Sequence, residues 1–359
     1  MSTQARALIA MSGGVDSSVA AYLMQQAGYR CMGATMRLFE AEQEQPESTC
    51  CSLEQVEDAR AVAHRLGIPY YVFNFKDDFR RHVMDAFVQD YESGLTPNPC
   101  VACNRHLKFD RLLRRALELE CQYVVTGHYA RITRQPDGRY LLRKSVDAAR
   151  DQTYFLYSLT QEQLSHVLFP LGELTKPEVR EIAQAQGFVN ARKRDSQDIC
   201  FVPDGDYPAF LERYTGRPCQ PGDFLDLRGN VIGQHRGAVA YTIGQRKGLA
   251  LSVGHPVYVC GKDMAANTVT VGENSDLMHT ALLADDWVFS ALDAPREPLR
   301  CHAKARSRMT EQPATVYPAE NGVFRVEFDA PQRALTPGQA IVLYDGDVVL
   351  GGGTIRQIL

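Results

Sequence analysis

Three cysteines, Cys100, Cys103 and Cys200, lie in polar, turn-rich parts of the sequence where a thiol could take part in chemistry. Cys103 follows the segment Pro97-Asn98-Pro99, whose prolines hold the chain extended, so we expect it at the N-terminus of the next helix. A helix N-terminus with basic residues just beyond it favours the nucleophilic thiolate. The sequence therefore predicts a reactive thiol at Cys103.

Cys200 follows the basic run Arg192-Lys193-Arg194, and a basic, flexible loop suits a thiol that moves toward a partner. Its apolar neighbours leave open a second interpretation, in which Cys200 belongs to the core. Thiolates at 100, 103 and 200 could also hold a [4Fe–4S] cluster with one open iron for exogenous sulfide. A zinc site that includes Cys50 and Cys51 is a weaker alternative, because adjacent cysteines are poor zinc-ligand spacing.

The segment Ser12-Gly13-Gly14-Val15-Asp16-Ser17 lies between a predicted strand at 6–11 and a predicted helix at 17–26. Paired glycines let a backbone approach an anion closely, and the N-terminus of a helix offers N–H groups to phosphate. Asp16 could hold a Mg²⁺ ion that bridges phosphates. The spacing is neither that of a dinucleotide-binding loop nor that of a Walker loop. A capped turn without a ligand is the alternative interpretation.

The elements that position these residues alternate between strand and helix up to about residue 130. This alternation predicts an α/β fold with a parallel sheet, and a ligand at the carboxyl ends of its strands. Beyond residue 218, glycine, proline and short β-type runs dominate. We therefore predict a parallel-sheet nucleotide-binding domain at 1–205, a small mixed domain at 206–278 and a β-barrel-like domain at 279–359.

A basic stripe is predicted in the third domain. His302, Lys304, Arg306 and Arg308 alternate with small residues over 301–310. On a strand, this period of two places all four on one face, where they could contact a phosphate backbone. A solvated barrel face is the alternative.

Composition excludes several classes of protein. The 39 Lys+Arg and 43 Asp+Glu residues give a net charge of −4, which argues against a globally basic nucleic-acid coat. With 45% hydrophobic and 23% charged residues, the chain is expected to be globular rather than disordered. Neither a membrane-spanning run nor a secretion signal is recognisable, so we expect a cytoplasmic protein with no membrane partner.

The loop Ser12–Ser17 resembles the pyrophosphate loop of the N-type ATP pyrophosphatases, which adenylate a carbonyl oxygen. Further motifs, in order, resemble those of the tRNA-specific 2-thiouridylases: TPNPCVACN, GHYAR (127–131), RDQTYFLYSL (150–159), DSQDICF, TIGQRKGL (242–249) and PGQ (337–339). The resemblance spans essentially the whole chain. It implies that ATP adenylates O2 of the wobble uridine of certain tRNAs, and that a cysteine persulfide then supplies sulfur. ATP and Mg²⁺, tRNA and a sulfur-donor protein or relay are thus expected as cofactors and partners.

Carried over by position, the resemblance implies that Cys103 is the nucleophile and Cys200 the persulfide-bearing cysteine. The ATP contacts that it implies are Ala10, Met11, Ser12, Gly13, Gly14, Val15, Asp16, Ser17, Met36 and Gly127. The tRNA contacts that it implies are His128, Arg150, Asp151, Gln152, Arg306, Ser307 and Gln339.

Two positions depart from the family pattern. Some members have an aspartate three residues before the nucleophile, where this chain has Cys100, so an acid–base role there does not transfer. An aromatic residue is more usual at the position of Ser307.

Two other functions stay open at this point. Another adenylating pyrophosphatase, such as a synthetase that delivers nitrogen, would use ATP without needing Cys103 or Cys200. A metal-bound RNA-binding module would bind tRNA without releasing pyrophosphate.

Overall fold

The computed structural model describes residues 4–39, 53–193 and 199–359. Cys50 and Cys51 lie outside the described residues. The strands in chain order are β1 (Arg6–Ala10), β2 (Arg30–Arg37), β3 (Tyr70–Asn74), β4 (Tyr123–Val125), β5 (Ala130–Arg134), β6 (Tyr140–Lys144), β7 (Val167–Leu168), β8 (Gly222–Leu225), β9 (Val231–His235), β10 (Tyr258–Asp263), β11 (Thr268–Gly272), β12 (Met278–Phe289), β13 (Leu299–Lys304), β14 (Gln312–Pro318), β15 (Phe324–Arg333), β16 (Ala340–Asp345) and β17 (Val348–Ile358).

The α-helices are α1 (Val15–Gln26), α2 (Leu53–Leu66), α3 (Lys76–Phe79), α4 (Ala86–Glu92), α5 (Pro99–Cys103), α6 (Leu112–Glu118), α7 (Gln161–Ser165), α8 (Lys176–Ala185) and α9 (Tyr207–Thr215). Two π-helical stretches, Arg80–Asp85 and Asn104–Arg111, join α3 to α4 and α5 to α6. The chain is therefore helical without a break over 76–92 and again over 99–118. None of the described helices is long and apolar enough to cross a membrane.

The first domain is built on a parallel sheet in the order β3-β2-β1-β4-β7. Its central strand β1 is apolar on both faces because helices cover both sides. Ala7 and Ile9 pack toward α1 and α8, whereas Leu8 packs toward α6. The chain order reverses between β1 and β4, which is where a parallel sheet opens a ligand crevice at its carboxyl edge. The predicted α/β architecture is confirmed.

The second domain contains a four-stranded sheet in the order β10-β11-β8-β9. The third is a closed barrel, in which β12-β15-β14-β13-β16-β17 runs in order and β17 pairs back onto β12. A hairpin turn at Asp345-Gly346 joins β16 to β17, as the Asp-Gly pair between two short apolar runs predicts. The hairpin β5–β6, predicted as part of the first domain, extends the barrel's sheet through a pairing of Arg143 with Val348. The domain boundaries at 205 and 278 stay a prediction.

The barrel closes tightly against the first domain at the glycines of β17. A Cβ atom on Gly352 would lie 2.5 Å from the Tyr157 ring and 2.7 Å from the carbonyl oxygen of Ile341. Tyr157 belongs to the segment after β6 and is 2% exposed. Glycine at this position therefore lets the barrel wall and the first domain touch.

We expect Gly352→Ala to lower the free energy of unfolding by about 2 kcal/mol, because neither the Ile341 backbone nor the buried Tyr157 ring has room to shift. Urea denaturation measures this change. Gly261→Ala in β10 is the matched control, since its Cβ would meet Thr270 at an ordinary 3.7 Å. Equal stabilities of the two variants would contradict the close-contact argument.

Candidate functional site

The loop between β1 and α1 takes the shape of an anion cradle. Gly13 has φ +76°, and its Cα lies so close to the backbone of Gln55 that no side chain fits. Gly14 is the N-cap of α1, and a Cβ there would meet only the Ser12 hydroxyl, at 3.4 Å. Gly13 is thus required by packing within the protein, whereas Gly14 leaves room for a ligand at the helix start.

Hydrogen bonds fix the backbone of this loop from within. The Ser17 hydroxyl donates to the Gly14 carbonyl over 3.0 Å and accepts from the Ser12 N–H over 3.2 Å. Met11 and Val15 are buried in the core, so they can face a ligand only through their backbone. The amide of Asn190, 2% exposed, donates to the Gly13 carbonyl and the Ser18 hydroxyl from behind, over 2.9 Å each.

Asp16 is held by a buried lysine on another helix. The Nζ atom of Lys176, at the start of α8, lies 2.8 Å from both carboxylate oxygens of Asp16. The Lys176 side chain is 7% exposed and that of Asp16 29%. Tyr129 donates its hydroxyl to Asp16 Oδ1 over 2.9 Å. The predicted Mg²⁺ ligand is therefore already engaged with a cation.

Gly127 brings the segment after β4 directly onto the loop. A Cβ atom at this position would lie 2.8 Å from both the Asp16 carbonyl carbon and the Ser17 nitrogen. The predicted ATP contacts at Gly127 and in the 10–17 loop thus lie side by side at the carboxyl edge of the sheet. Sequence reasoning did not find Lys176 or Asn190, because a single lysine after a helix cap and a single asparagine in a basic loop carry no motif.

The helix that carries Cys103 begins one turn earlier than predicted. Asn98 is its N-cap, and Asn98 Oδ1 accepts from the Val101 N–H over 3.3 Å. Pro99 is the first helical residue, where its missing N–H costs nothing. Cys100 therefore lies in the first turn, and Cys103 is the last residue of α5. The prediction that Cys103 lies at the helix N-terminus is wrong, because Pro99 starts the helix rather than preceding it.

Cys103, Cys200 and Met36 all pack against one apolar cluster. The buried core of that cluster includes Phe79, Leu107 and Phe201. It lies where β2 ends, beside the carboxyl edge of the sheet. Both thiols are partly exposed, so the structure brings the two predicted sulfur-bearing residues and one predicted ATP contact to the same region.

The sequence leaves a [4Fe–4S] cluster open as an alternative, but the structure does not assemble its ligands. Among the described residues, no three His, Cys, Asp or Glu side chains gather as ligands for a metal ion. Cys100, Cys103 and Cys200 are all described, and in this structure they are not gathered as the three-thiolate set that such a cluster requires.

His128 is buried rather than presented to a partner. Its Nε2 atom lies 3.4 Å from Lys108 Nζ, which can only donate, so Nδ1 donates to the Thr126 hydroxyl over 2.7 Å. Burial, followed by the charge of Lys108, holds the pKa of His128 well below its usual value of 6.5. His128 is therefore neutral at neutral pH. As the pH falls below the ordinary histidine pKa, the unfolded chain takes up a proton that buried His128 does not, so the free energy of unfolding decreases.

The segment 150–152 is split between surface and interior. Arg150 is exposed. Asp151 accepts from the Ser145 N–H and the Thr153 hydroxyl, and burial raises the pKa of its carboxyl. Gln152 accepts from the Tyr129 N–H over 2.9 Å. Asp151 and Gln152 thus bind their own chain in this structure.

The predicted basic stripe is only partly correct. The strand β13 ends at Lys304, so Arg306 and Arg308 lie beyond it. His302 and Arg308 are exposed and Lys304 is half-buried, while Arg306 turns inward. Its Nη2 atom donates to the carbonyls of Ile243 and Ala334, over 3.2 and 2.7 Å, and to the Thr336 hydroxyl over 2.6 Å. Arg306 therefore joins the barrel to the second domain, and Ser307 beside it is partly exposed.

We expect Arg306→Ala to lower the free energy of unfolding by about 2 kcal/mol, because the variant leaves buried carbonyls without their donor. Chemical denaturation of the purified protein measures this. Arg308→Ala, the exposed neighbour, is the control and should change stability by less than about 0.5 kcal/mol. A stable Arg306→Ala protein would show that the inward hydrogen bonds contribute little.

Comparisons with known proteins find three family models and several relatives that match nearly the whole chain. Family models match three parts of the chain: a tRNA methyl transferase HUP domain over residues 5–204, a tRNA methyl transferase PRC-barrel domain over 208–273, and an aminomethyltransferase β-barrel domain over 279–355. The chain is also similar over its length to proteins described as tRNA-specific 2-thiouridylases. One from Symbiobacterium thermophilum is 53% identical, over 99% of this chain and 93% of the relative.

Two further relatives of the same description support the assignment. One from Acetivibrio thermocellus is 50% identical over 98% of this chain and 99% of its own. One from Clostridioides difficile is 48% identical over 99% of both chains. Because these relatives are 48–53% identical over nearly the whole chain, they identify the family more specifically than the domain models do. The chain belongs to the tRNA-specific 2-thiouridylase family.

Proposed function

We propose that this protein is a tRNA-uridine 2-sulfurtransferase, which uses ATP to replace O2 of the wobble uridine with sulfur. The observation that supports this most strongly is that two partly exposed thiols lie at the same edge of the sheet as a phosphate-type loop. Cys103 and Cys200 pack on the apolar cluster that also contacts Met36, at the carboxyl edge where the 12–17 loop lies. An adenylating enzyme that delivered nitrogen would not need these two thiols.

The first step is activation of the base. The triphosphate of ATP binds at the start of α1, where Gly14 leaves space and the helix N–H groups point outward. O2 of the uridine attacks the α-phosphate, and pyrophosphate leaves. Mg²⁺, when bound, would neutralise phosphate charge beside Asp16. Lys176 then has two acidic neighbours, the Asp16 carboxylate and the phosphates, and its ammonium stabilises the negative charge that develops on pyrophosphate.

The second step is sulfur transfer. Cys200 carries a persulfide, and its terminal sulfur attacks C2 of the adenylated uridine as AMP leaves. The Cys103 thiolate then attacks the Cys200 sulfur, which frees the thiocarbonyl and forms a Cys103–Cys200 disulfide. The apolar cluster beneath both cysteines excludes water, which would otherwise hydrolyse the adenylated base. A dithiol reductant then reduces the Cys103–Cys200 disulfide to two thiols, and a sulfur-donor protein or relay transfers a new sulfane sulfur to Cys200.

The tRNA partner would contact the residues that face solvent. Among the predicted contacts, Arg150 and Ser307 are accessible, and His302, Lys304 and Arg308 extend the basic surface of the barrel. The other predicted contacts, His128, Asp151, Gln152, Arg306 and Gln339, bind their own chain, so we propose that they shape the tRNA-binding surface from within.

We expect Asp16→Asn to reduce pyrophosphate release in the presence of tRNA and ATP by at least about 100-fold, because the neutral amide no longer attracts Mg²⁺ or orients Lys176. Asp347→Asn, which removes an ion-pair partner of Arg143 in the barrel, is the control and should retain activity. Melting temperatures of both variants separate lost chemistry from lost folding. Normal pyrophosphate release by Asp16→Asn would overturn the assignment of the loop.

Single substitutions of the three cysteines should have different effects on the reaction. Cys200→Ser should still release pyrophosphate and form adenylated tRNA, but transfer no sulfur. Cys103→Ser should carry persulfide on Cys200 and stall before the disulfide forms. Cys100→Ser should retain substantial activity, because no step uses it. Mass spectrometry of the protein and of digested tRNA, with iron analysis under anaerobic conditions, reads all three outcomes. An inactive, iron-free Cys100→Ser protein beside an iron-loaded active wild type would contradict the persulfide mechanism.

A further inference from the structure

The short helix that carries Cys103 is contacted by the barrel on both sides. Residues 96 and 97 precede its cap at Asn98, and Arg105 follows the thiol by two positions. Both flanks make hydrogen bonds to residues that are far away in sequence, at 286 and at 337–339. The chain on either side of Cys103 is thus hydrogen-bonded to the C-terminal domain.

The first contact is a tight turn of the barrel against the segment before the cap. The Thr96 N–H donates to the Pro337 carbonyl over 2.9 Å, and the amide of Gln339 donates to the Thr96 and Pro97 carbonyls over 2.8 and 3.3 Å. Gly338 between them has φ +90°. A Cβ at Gly338 would lie 2.7 Å from the Thr96 nitrogen, so only glycine permits this approach. The PGQ motif therefore holds the backbone that leads into the helix.

The second contact is an ion pair just after the thiol. Arg105 makes two hydrogen bonds to the Asp286 carboxylate, and Nη2 lies 2.9 Å from Oδ1. Asp286 has φ +49° and lies within an irregularity of β12 between Asp285 and Val288. The side chains are 33% and 43% exposed, so the pair contributes little to stability. Its two-point geometry instead links the position two residues after Cys103 to the barrel in a defined orientation.

The first domain also holds this helix, from the inner side. Asn104, 3% exposed, donates its amide to the Phe155 carbonyl over 2.9 Å. Cys103 packs on the apolar cluster, and the His106 ring stacks on that of His82 at 5.0 Å. The barrel adds its own contacts before and after the thiol.

We propose that Gly338, Gln339 and Asp286 are positioning residues that orient the Cys103 thiol for attack on the Cys200 sulfur. This inference rests on the proposed function, because it takes Cys103 as the thiol that resolves the persulfide. The barrel then has a role beyond contact with tRNA, since it completes the geometry of the catalytic helix. The chemistry that depends on it is the disulfide-forming step and not adenylation.

Two variants and two matched controls test the inference in the full-length protein. Asp286→Asn removes the charge, and asparagine tolerates a positive φ. Its control is Asp329→Asn, which breaks the bidentate pair with Arg300 on the same barrel. Gly338→Ala forces the turn away from Thr96. Its control is Gly346→Ala, which also has positive φ, at +56°, but has nothing within 4 Å of the new Cβ.

The measurements are the rate of disulfide formation between Cys103 and Cys200 in a single turnover, the rate of pyrophosphate release, and the alkylation rate of Cys103 against pH in a Cys100→Ser background. We expect the ratio of disulfide formation to pyrophosphate release to fall about tenfold in Asp286→Asn and in Gly338→Ala, since a small misplacement of a nucleophile is costly. The pH profile of alkylation should shift in Asp286→Asn, because Arg105 loses its partner. The two controls should match the wild type in every measurement.

An unchanged ratio and an unchanged pH profile in Asp286→Asn would overturn the inference, even if Gly338→Ala failed to fold. Equal losses in each variant and its control would overturn it as well, because they would indicate a general effect on the barrel. Cys103→Ser separates the two proposals. If Cys103→Ser still forms thiolated tRNA at the wild-type rate, the proposed function of Cys103 fails. If it does not, while Asp286→Asn behaves as the wild type, only the positioning role fails.

Discussion

The ion pair between Asp16 and Lys176 is the interaction on which the site depends. It joins the start of α1 to the start of α8, and the Tyr129 hydroxyl adds the segment after β4. A buried lysine is thereby paired with a partly exposed carboxylate at the point where the sheet opens. Such a pair is costly to break from one side, by about 3 kcal/mol or more, because the remaining charge stays buried. The loop therefore keeps its shape before any nucleotide arrives.

The two thiols are also positioned by contacts from several elements. Cys103 lies on a helix that is capped by Asn98, anchored inside by Asn104 and flanked by the barrel. Cys200 lies on the same apolar cluster but directly after the segment 194–198, which is outside the described residues. The helix of Cys103 is thus held by several hydrogen bonds close to the thiol, and Cys200 reaches the same apolar cluster from another part of the chain.

Much of the fold followed from local patterns. The apolar run of β1, the glycines after it and the Asp345-Gly346 turn each carry a period or a turn residue that points to one structure. The chain positions of the loop and of the two cysteines were likewise visible as motifs. What the sequence could not show were partners far away along the chain. Lys176 reaches Asp16 and Gln339 reaches Thr96 over distances in sequence that no local pattern encodes. The period of two places Arg306 in the predicted phosphate-contacting stripe, because it does not reveal that the strand has already ended.

The hairpin β5–β6 has a consequence for the independence of the domains. It lies in the chain of the first domain, yet it continues the sheet of the third, and Arg131 and Arg143 both bind Asp347 at the tip of a barrel hairpin. Cutting the chain between the domains would leave β6 as an exposed sheet edge with unpaired backbone groups, a ready template for intermolecular strand pairing. A chimera that takes its barrel from a relative would therefore fold only if residues 130–144 came from the same relative. The sheet of the barrel is thus discontinuous in sequence, although the fold divides into three successive parts.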